Sequence, residues 1–190
     1  MDDERSGRGG AVIPAAPTIV VPFRAGKTRL DADGRTELAL AMLEDVLAAC
    51  RPVGPTIVAD AESGQGSAVR QALEALEGIV AIVNADLPCL TPDDVRALLD
   101  SLPEDGMAIA PAADGTTNAL ALADPSLFAS LYGPGSAEEF RSHASQLGVP
   151  SVVVSCANLA DDVDTLADLE RVAERVGPHT RAVAAAPSAR

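Results

Sequence analysis

The chain has 190 residues, 19.3 kDa, and 47 % hydrophobic residues, enough for one ordinary domain with a core. Its 28 acidic residues outweigh 14 basic ones for a net charge of −14, which argues against a nucleic-acid partner, because that binding rests on clustered Lys and Arg. Aromatics at 2 % exclude a stacking platform for single strands, and no apolar run approaches the roughly 20 residues of a membrane helix.

Met1–Gly10 is polar and acidic, which does not read as a secretory signal. Residues 1–17 are expected to form a disordered tail, residues 18–176 the domain, and residues 177–190 a frayed C-terminal tail. Thr18–Pro22 is a short β-branched run and is predicted as a buried strand. The loop that follows holds Arg24, Gly26, Lys27 and Arg29, the densest positive spot in the chain. Lys27 is the single lysine beside thirteen arginines. Gly26-Lys27-Thr28 is not a phosphate-binding P-loop, since the Gly required five positions earlier is Val21. The loop can still attract a triphosphate, or it can be a solvated surface loop.

Leu38, Met42, Val46 and Ala49 share one face of a predicted helix over 35–50. Pro55–Asp60 reads as a second strand, Ser67–Leu76 as a helix, and Gly78–Val83 as a third strand. Gly64-Gln65-Gly66 begins like a dinucleotide fingerprint, but the third glycine position is Val69, so a dehydrogenase is disfavoured. The segment is either a plain loop before a helix or a place where a phosphate or base rests on the helix start. Thr91-Pro92-Asp93-Asp94 opens a well-capped helix. Met107–Ala110 and Asn118–Ala123 are predicted strands joined by a turn at Asp114–Thr117. Ser136-Ala137-Glu138-Glu139 has a capping-box pattern, Ser151–Val154 reads as a sixth strand, and a last helix is predicted over 166–176.

Strands alternate with helices almost throughout. The expected fold is therefore a single α/β domain with a mostly parallel sheet and helices on both faces. In such sheets ligands bind beyond the carboxyl ends of the strands. Asp86 lies directly after the third strand, where an acid is costly unless solvated or liganded. Asp162 and Asp164 lie two apart after the sixth, so in extended chain they point the same way. The three could converge on one hard cation such as Mg²⁺, which takes oxygen ligands and substrate phosphates. The pair alone also reads as loop surface, with Asp164 capping the final helix. Cys50, Cys89 and Cys156 are scattered and odd in number, which fits neither zinc nor a disulfide framework but fits a reducing cytoplasm. His143 and His179 offer no triad arrangement.

An ordered series of motifs spans about residues 18–175. It runs through Ala25–Leu30, Leu40–Leu47, Ala85–Leu90, Gly115–Leu120, Tyr132–Ser136 and Asp162–Leu169. In this order the set resembles the guanylyltransferases of coenzyme F-420 biosynthesis, which act on phosphoenolpyruvate or 2-phospho-L-lactate. The stretches between Pro22 and Lys27 and between Leu47 and Gly66 are shorter than in that family. The resemblance implies a Rossmann-like nucleotidyltransferase fold, GTP as donor and two Mg²⁺ ions. It implies Asp86, Asp162 and Asp164 as metal ligands, with Asp86 and Lys27 in the catalytic centre. Thr117, Gly133 and Ser136 would hold the acceptor; Lys27, Arg29 and Gly66 would meet the nucleotide. The C-terminal stretch looks like that of actinobacterial members, which favours phosphoenolpyruvate. The product would pass to the next transferase of the pathway, and no nucleic acid or membrane partner is expected. Two other readings stand beside it: another Mg-dependent nucleotidyltransferase, such as a molybdenum-cofactor guanylyltransferase, or a non-catalytic nucleotide-binding domain.

Overall fold

The computed structural model describes residues 16–24 and 35–186. Lys27 and Arg29, to which nucleotide contacts were assigned, lie outside the described residues, as does most of the N-terminal tail. Among the described residues six strands form one sheet: β1 (Thr18–Phe23), β2 (Thr56–Asp60), β3 (Val80–Val83), β4 (Met107–Pro111), β5 (Thr117–Leu122) and β6 (Ser151–Val153). Their order across the sheet is β2-β1-β3-β5-β4-β6. β5 alone runs antiparallel to its neighbours β3 and β4, and the other adjacent pairs are parallel. The sheet is thus mostly parallel, as expected, and the one reversed strand makes it mixed. The reason is the short link between β4 and β5, whose tight turn leaves no room for a crossover helix.

The described residues also form seven helices: α1 (Arg35–Cys50), α2 (Gln65–Leu73), α3 (Pro92–Asp100), α4 (Ser136–Leu147), α5 (Ala157–Ala160), α6 (Leu166–Val172) and α7 (Pro178–Ala184). Alternation along each strand sends successive side chains to opposite faces. Ala81, Ala108, Ala110, Ala119 and Ala121 face α1, α3 and α5, and their small side chains let those helices approach closely. Val80, Ile82, Met107, Ile109, Leu120 and Leu122 fill the opposite face against α2 and α4, around the fully buried Phe140. A third cluster joins Leu38 and Met42 of α1 to Leu169 and Val172 of α6.

Several element ends differ from the sequence expectation. α2 begins at Gln65 because Gly64 takes a left-handed φ of 108°. Asp164 does not cap α6. Thr165 does, in a capping box with Asp168. Ser136 does not cap α4 either: Gly135 fills that position at φ 76°, and Ser136 is turned inward and fully buried. Within the expected frayed tail, residues 177–186 are a folded part of the domain. α7 docks on α1, and the buried Asp45 accepts hydrogen bonds from the backbone N–H groups of His179 (3.0 Å) and Thr180 (2.8 Å). A carboxylate at a helix start is favoured by its unpaired N–H groups and dipole. The cap comes from the far end of the chain, so no local pattern announces it. Gly177 makes the approach feasible, since a Cβ there would lie 2.4 Å from the Asp45 carboxyl. Among the described residues, no helix is long and apolar enough to cross a membrane.

Candidate active site

A cavity of about 920 Å³ opens above the sheet where β1 and β3 end and β5 begins. β1 is followed on one side by β2 and on the other by β3, so the cavity lies at the point where strand order reverses. Pro22, Phe23 and Arg24 reach it from the end of β1, and Asn84 and Asp86 from the end of β3. Thr117 and Asn118 come from β5, Ser136 from α4, and Asp162 and Asp164 from the loop after α5.

Asp86 carries one carboxylate oxygen, Oδ1, that is buried without a hydrogen-bond partner. Burial pushes its pKa up to about 7, and the charges of Asp162 and Asp164 add to the rise. Asp162 is also raised, mainly by burial, although Asn118 Nδ2 donates to it at 3.4 Å. Asn118 is held in turn by donation to the Leu159 carbonyl at 3.0 Å. The two acidic loops are stitched together by the Val163 N–H, which donates to the Asp86 carbonyl at 3.0 Å. Outside the cavity, Asp161 pairs with Arg171 and Arg175 of the α6 region. That pairing turns Asp161 away, while Asp162 and Asp164 face in.

Among the described residues, no three carboxylate, His or Cys side chains are close enough to enclose a metal by themselves. Asp86, Asp162 and Asp164 share one cavity without closing a cage. A donor set of separated carboxylates beside a roomy cavity suits Mg²⁺, which keeps waters and shares itself with substrate phosphates. The buried, unpartnered Asp86 oxygen is the observation that fits a cation best.

The residues expected from the resemblance to hold the acceptor are bonded to one another. The hydroxyls of Thr117 and Ser136 lie 3.0 Å apart, and both side chains are buried. Gly133 adopts φ 142°, a conformation open to glycine, and its carbonyl accepts from Ser136 N–H at 3.1 Å. Asp114 bonds the Thr116 hydroxyl and N–H, and these bonds hold its carboxyl below the usual range.

The structure places Gly66 away from the cavity lining. A Cβ there would meet Ser130 Oγ at 1.7 Å, so this glycine answers to close packing of α2. Gly64 and Gln65 line the cavity instead. Asn84 has no role in the sequence reading, and Asn118, Arg24 and Gln65 enter it only as members of the Asp114–Asn118 turn, the basic loop and the Gly64–Gly66 segment. Asn84 could have been found, since it precedes Asp86 by two and shares its side of an extended segment. Arg24 is the one cationic side chain among the described residues that line the cavity.

The fold has counterparts among solved structures. A protein of Desulfovibrio desulfuricans G20 provisionally described as a nucleotide-diphospho-sugar transferase superposes with a TM-score of 0.69 at 14 % identity, over 90 % of this chain and 94 % of that one. The 2-C-methyl-D-erythritol 4-phosphate cytidylyltransferase of Thermus thermophilus gives 0.57 at 18 % identity, over 82 % and 98 %. At such identities the likeness concerns the fold, that of the nucleotidyltransferases.

Sequence carries it further. Residues 52–180 match the family described as guanylyl transferase CofC like. The chain is 36 % identical to a 2-phospho-L-lactate guanylyltransferase of Natrialba magadii, covering 81 % of this chain and 82 % of that protein. It is 34 % identical to a phosphoenolpyruvate guanylyltransferase of Sphaerobacter thermophilus, covering 86 % and 91 %. The chain belongs to the CofC-like guanylyltransferase family.

Proposed function

We propose that this chain transfers GMP from GTP to the phosphate of phosphoenolpyruvate or 2-phospho-L-lactate, releasing pyrophosphate, as a Mg²⁺-dependent cytoplasmic step of coenzyme F-420 biosynthesis. The observation that carries the reading is the unpartnered Asp86 oxygen in a cavity shared with Asp162, Asp164 and the Thr117–Ser136 hydroxyl pair. The names of the relatives support the donor and both acceptors.

The chemistry asks little of the protein in proton transfer. The acceptor phosphate is already anionic, so its oxygen can attack the α-phosphorus without a general base. One P–O bond forms to the acceptor, and the bond from the α-phosphorus to the bridging oxygen breaks as pyrophosphate leaves. Catalysis then rests on positioning and charge neutralisation. Asp86, Asp162 and Asp164 would hold Mg²⁺, which supplies neutralisation of the triphosphate. The Thr117 and Ser136 hydroxyls orient the acceptor, and the left-handed backbone at Gly133 keeps that wall open. Arg24 faces the cavity with the one positive charge among its described lining residues, and Lys27 and Arg29 follow it in sequence. In this reading these three meet the GTP phosphates. They offset the repulsion that four lining aspartates would exert on a polyanion.

The test is pyrophosphate release from GTP and Mg²⁺ with phosphoenolpyruvate, with 2-phospho-L-lactate, and with no acceptor. The next transferase of the pathway is included to trap a labile product. Release that requires one acceptor fixes the substrate. GTP binding with no release for either acceptor would replace the reading by a non-catalytic nucleotide-binding domain, and release only with another acceptor by a different nucleotidyltransferase.

A further inference from the structure

The cavity floor holds a chain of amides whose polarity can be worked out from one fixed point. The Thr117 backbone carbonyl accepts a hydrogen bond from the Asn84 side chain at 3.2 Å. A carbonyl cannot donate, so the Asn84 group facing it must be the Nδ2 amide. Asn84 Oδ1 therefore faces the other way, where Gln65 lies 2.6 Å from it. An amide oxygen cannot donate either, so Gln65 must present Nε2 to Asn84. The Asn84 backbone N–H donates to the Asn118 carbonyl at 2.9 Å, which holds the residue in place. Gln65 is left with Oε1 and one N–H uncommitted, in one order, and it lines the cavity.

A free glutamine can rotate its amide to suit either purine. On the six-membered ring, guanine shows an acceptor at O6 beside a donor at N1, and adenine shows a donor at N6 beside an acceptor at N1. The two edges are mirror patterns, so for a base held in one orientation by its ribose and phosphates, a glutamine locked in one polarity fits one of them. Gln65 lines the cavity together with the apolar Pro22, Phe23 and Ala61 and with the polar Arg24 and Asn84. Apolar side chains beside an oriented amide are what a purine ring needs to be held and read. The Thr117–Ser136 pair and the acidic loops occupy the rest of the cavity.

We propose that Gln65, locked by Asn84, is the specificity-determining residue that selects guanine over adenine, with Asn84 as its positioning residue. The inference rests on the guanylyltransferase reading and deepens it. No bond is made or broken by either side chain. Both act on which nucleotide is held.

The experiment measures GTP and ATP binding by calorimetry, together with kcat/KM for each, in the wild type and in Gln65→Ala, Asn84→Ala and Asn84→Asp. Gln65→Ala is expected to lose roughly tenfold to a hundredfold of the GTP-over-ATP preference, the discrimination one oriented amide contributes between bases. Asn84→Ala is expected to lose a similar share although Gln65 is untouched, because the glutamine is then free to flip. Asn84→Asp keeps an oxygen facing Gln65 Nε2, so it should retain the preference even where turnover falls. A merely structural role for Asn84 would move both of its variants alike. Full preference in Gln65→Ala and Asn84→Ala would overturn the inference, as would equal losses for GTP and ATP, which would place Gln65 on the ribose or phosphates. The two readings fail separately. A wild type that prefers GTP in binding yet releases no pyrophosphate strikes the proposed activity, whereas a wild type that binds both nucleotides alike strikes the role of Gln65.

Discussion

Two aspartates eight positions apart show what divides the cavity from the scaffold beside it. Asp94, at the start of α3, accepts from Thr91 N (2.8 Å), Thr91 Oγ1 (2.6 Å), Cys156 Sγ (3.0 Å) and Asn158 Nδ2 (3.0 Å). Partial burial raises its pKa, but the bonds from Thr91, Cys156 and Asn158 outweigh that and hold the carboxyl below the usual range. Asp86, at the end of β3, has a buried oxygen with no partner and a pKa pushed up to about 7. Residue type is the same, and the environments drive the two in opposite directions. A carboxylate whose partners all come from the chain is complete as scaffold. One left without partners in a cavity is complete only with something the chain does not contain.

The largest expected effect breaks that comparison at Asp86. Asp86→Ala should lower kcat/KM by more than about a hundredfold, beyond what loss of an outer-shell partner costs a metal site. Its circular dichroism should match the wild type, and retained turnover would remove Asp86 from the metal set. The conservative Asp86→Asn sharpens the point. A group whose folded pKa is raised contributes stability that is present at low pH and lost as pH rises through the folded value. Without Mg²⁺, the wild type should therefore lose thermal stability between about pH 4 and pH 7. Asp86→Asn should lose less, melting roughly 2–4 °C higher at pH 8, the shift about 1 kcal/mol produces in a domain of this size.

A middle-sized effect concerns the acceptor wall. Ser136→Ala leaves the buried Thr117 hydroxyl without its partner. It should raise the acceptor KM roughly fivefold, as loss of about 1 kcal/mol of hydrogen bonding does, with the GTP KM little changed. Equal effects on both substrates in steady-state kinetics would place the hydroxyl pair elsewhere in the reaction.

The smallest effect falls on Asp94. Asp94→Ala removes the capping box of α3 and the tie to Cys156 and Asn158, and should cost about 1 kcal/mol in urea unfolding. Because its folded pKa is depressed, the wild-type advantage should be full above about pH 4 and vanish as pH falls further. Turnover per folded molecule should stay near wild type, which separates this carboxylate from Asp86.

Local signals carried much of the fold. β-branched runs marked β1 and β3, helical spacing marked α1 from Arg35 to Cys50, and Thr91-Pro92-Asp93-Asp94 marked the start of α3. Each depends on residues within a few positions of one another. Asp86, Asp162 and Asp164 were legible for a related reason, since acids at strand ends stand out against apolar runs. The antiparallel β5 was not legible, because a short turn sets strand direction and the sheet order alone decides which strands become neighbours. Ser136 looked like a helix cap until the fold brought Thr117 against it.

By itself the sequence determined the alternation of strands and helices, the strand-end acids and the family, because periodicity, capping chemistry and motif order are properties of neighbouring residues. Only the tertiary structure decided that Asp45 caps α7, that Asp161 is turned outward to Arg171 and Arg175, and that Gly66 serves packing. It also decided that Asn84 sets the polarity of Gln65. Each of these joins residues distant in the chain. Hydrogen bonds and burial depend on separation in space, and that separation exists only once the sheet has assembled.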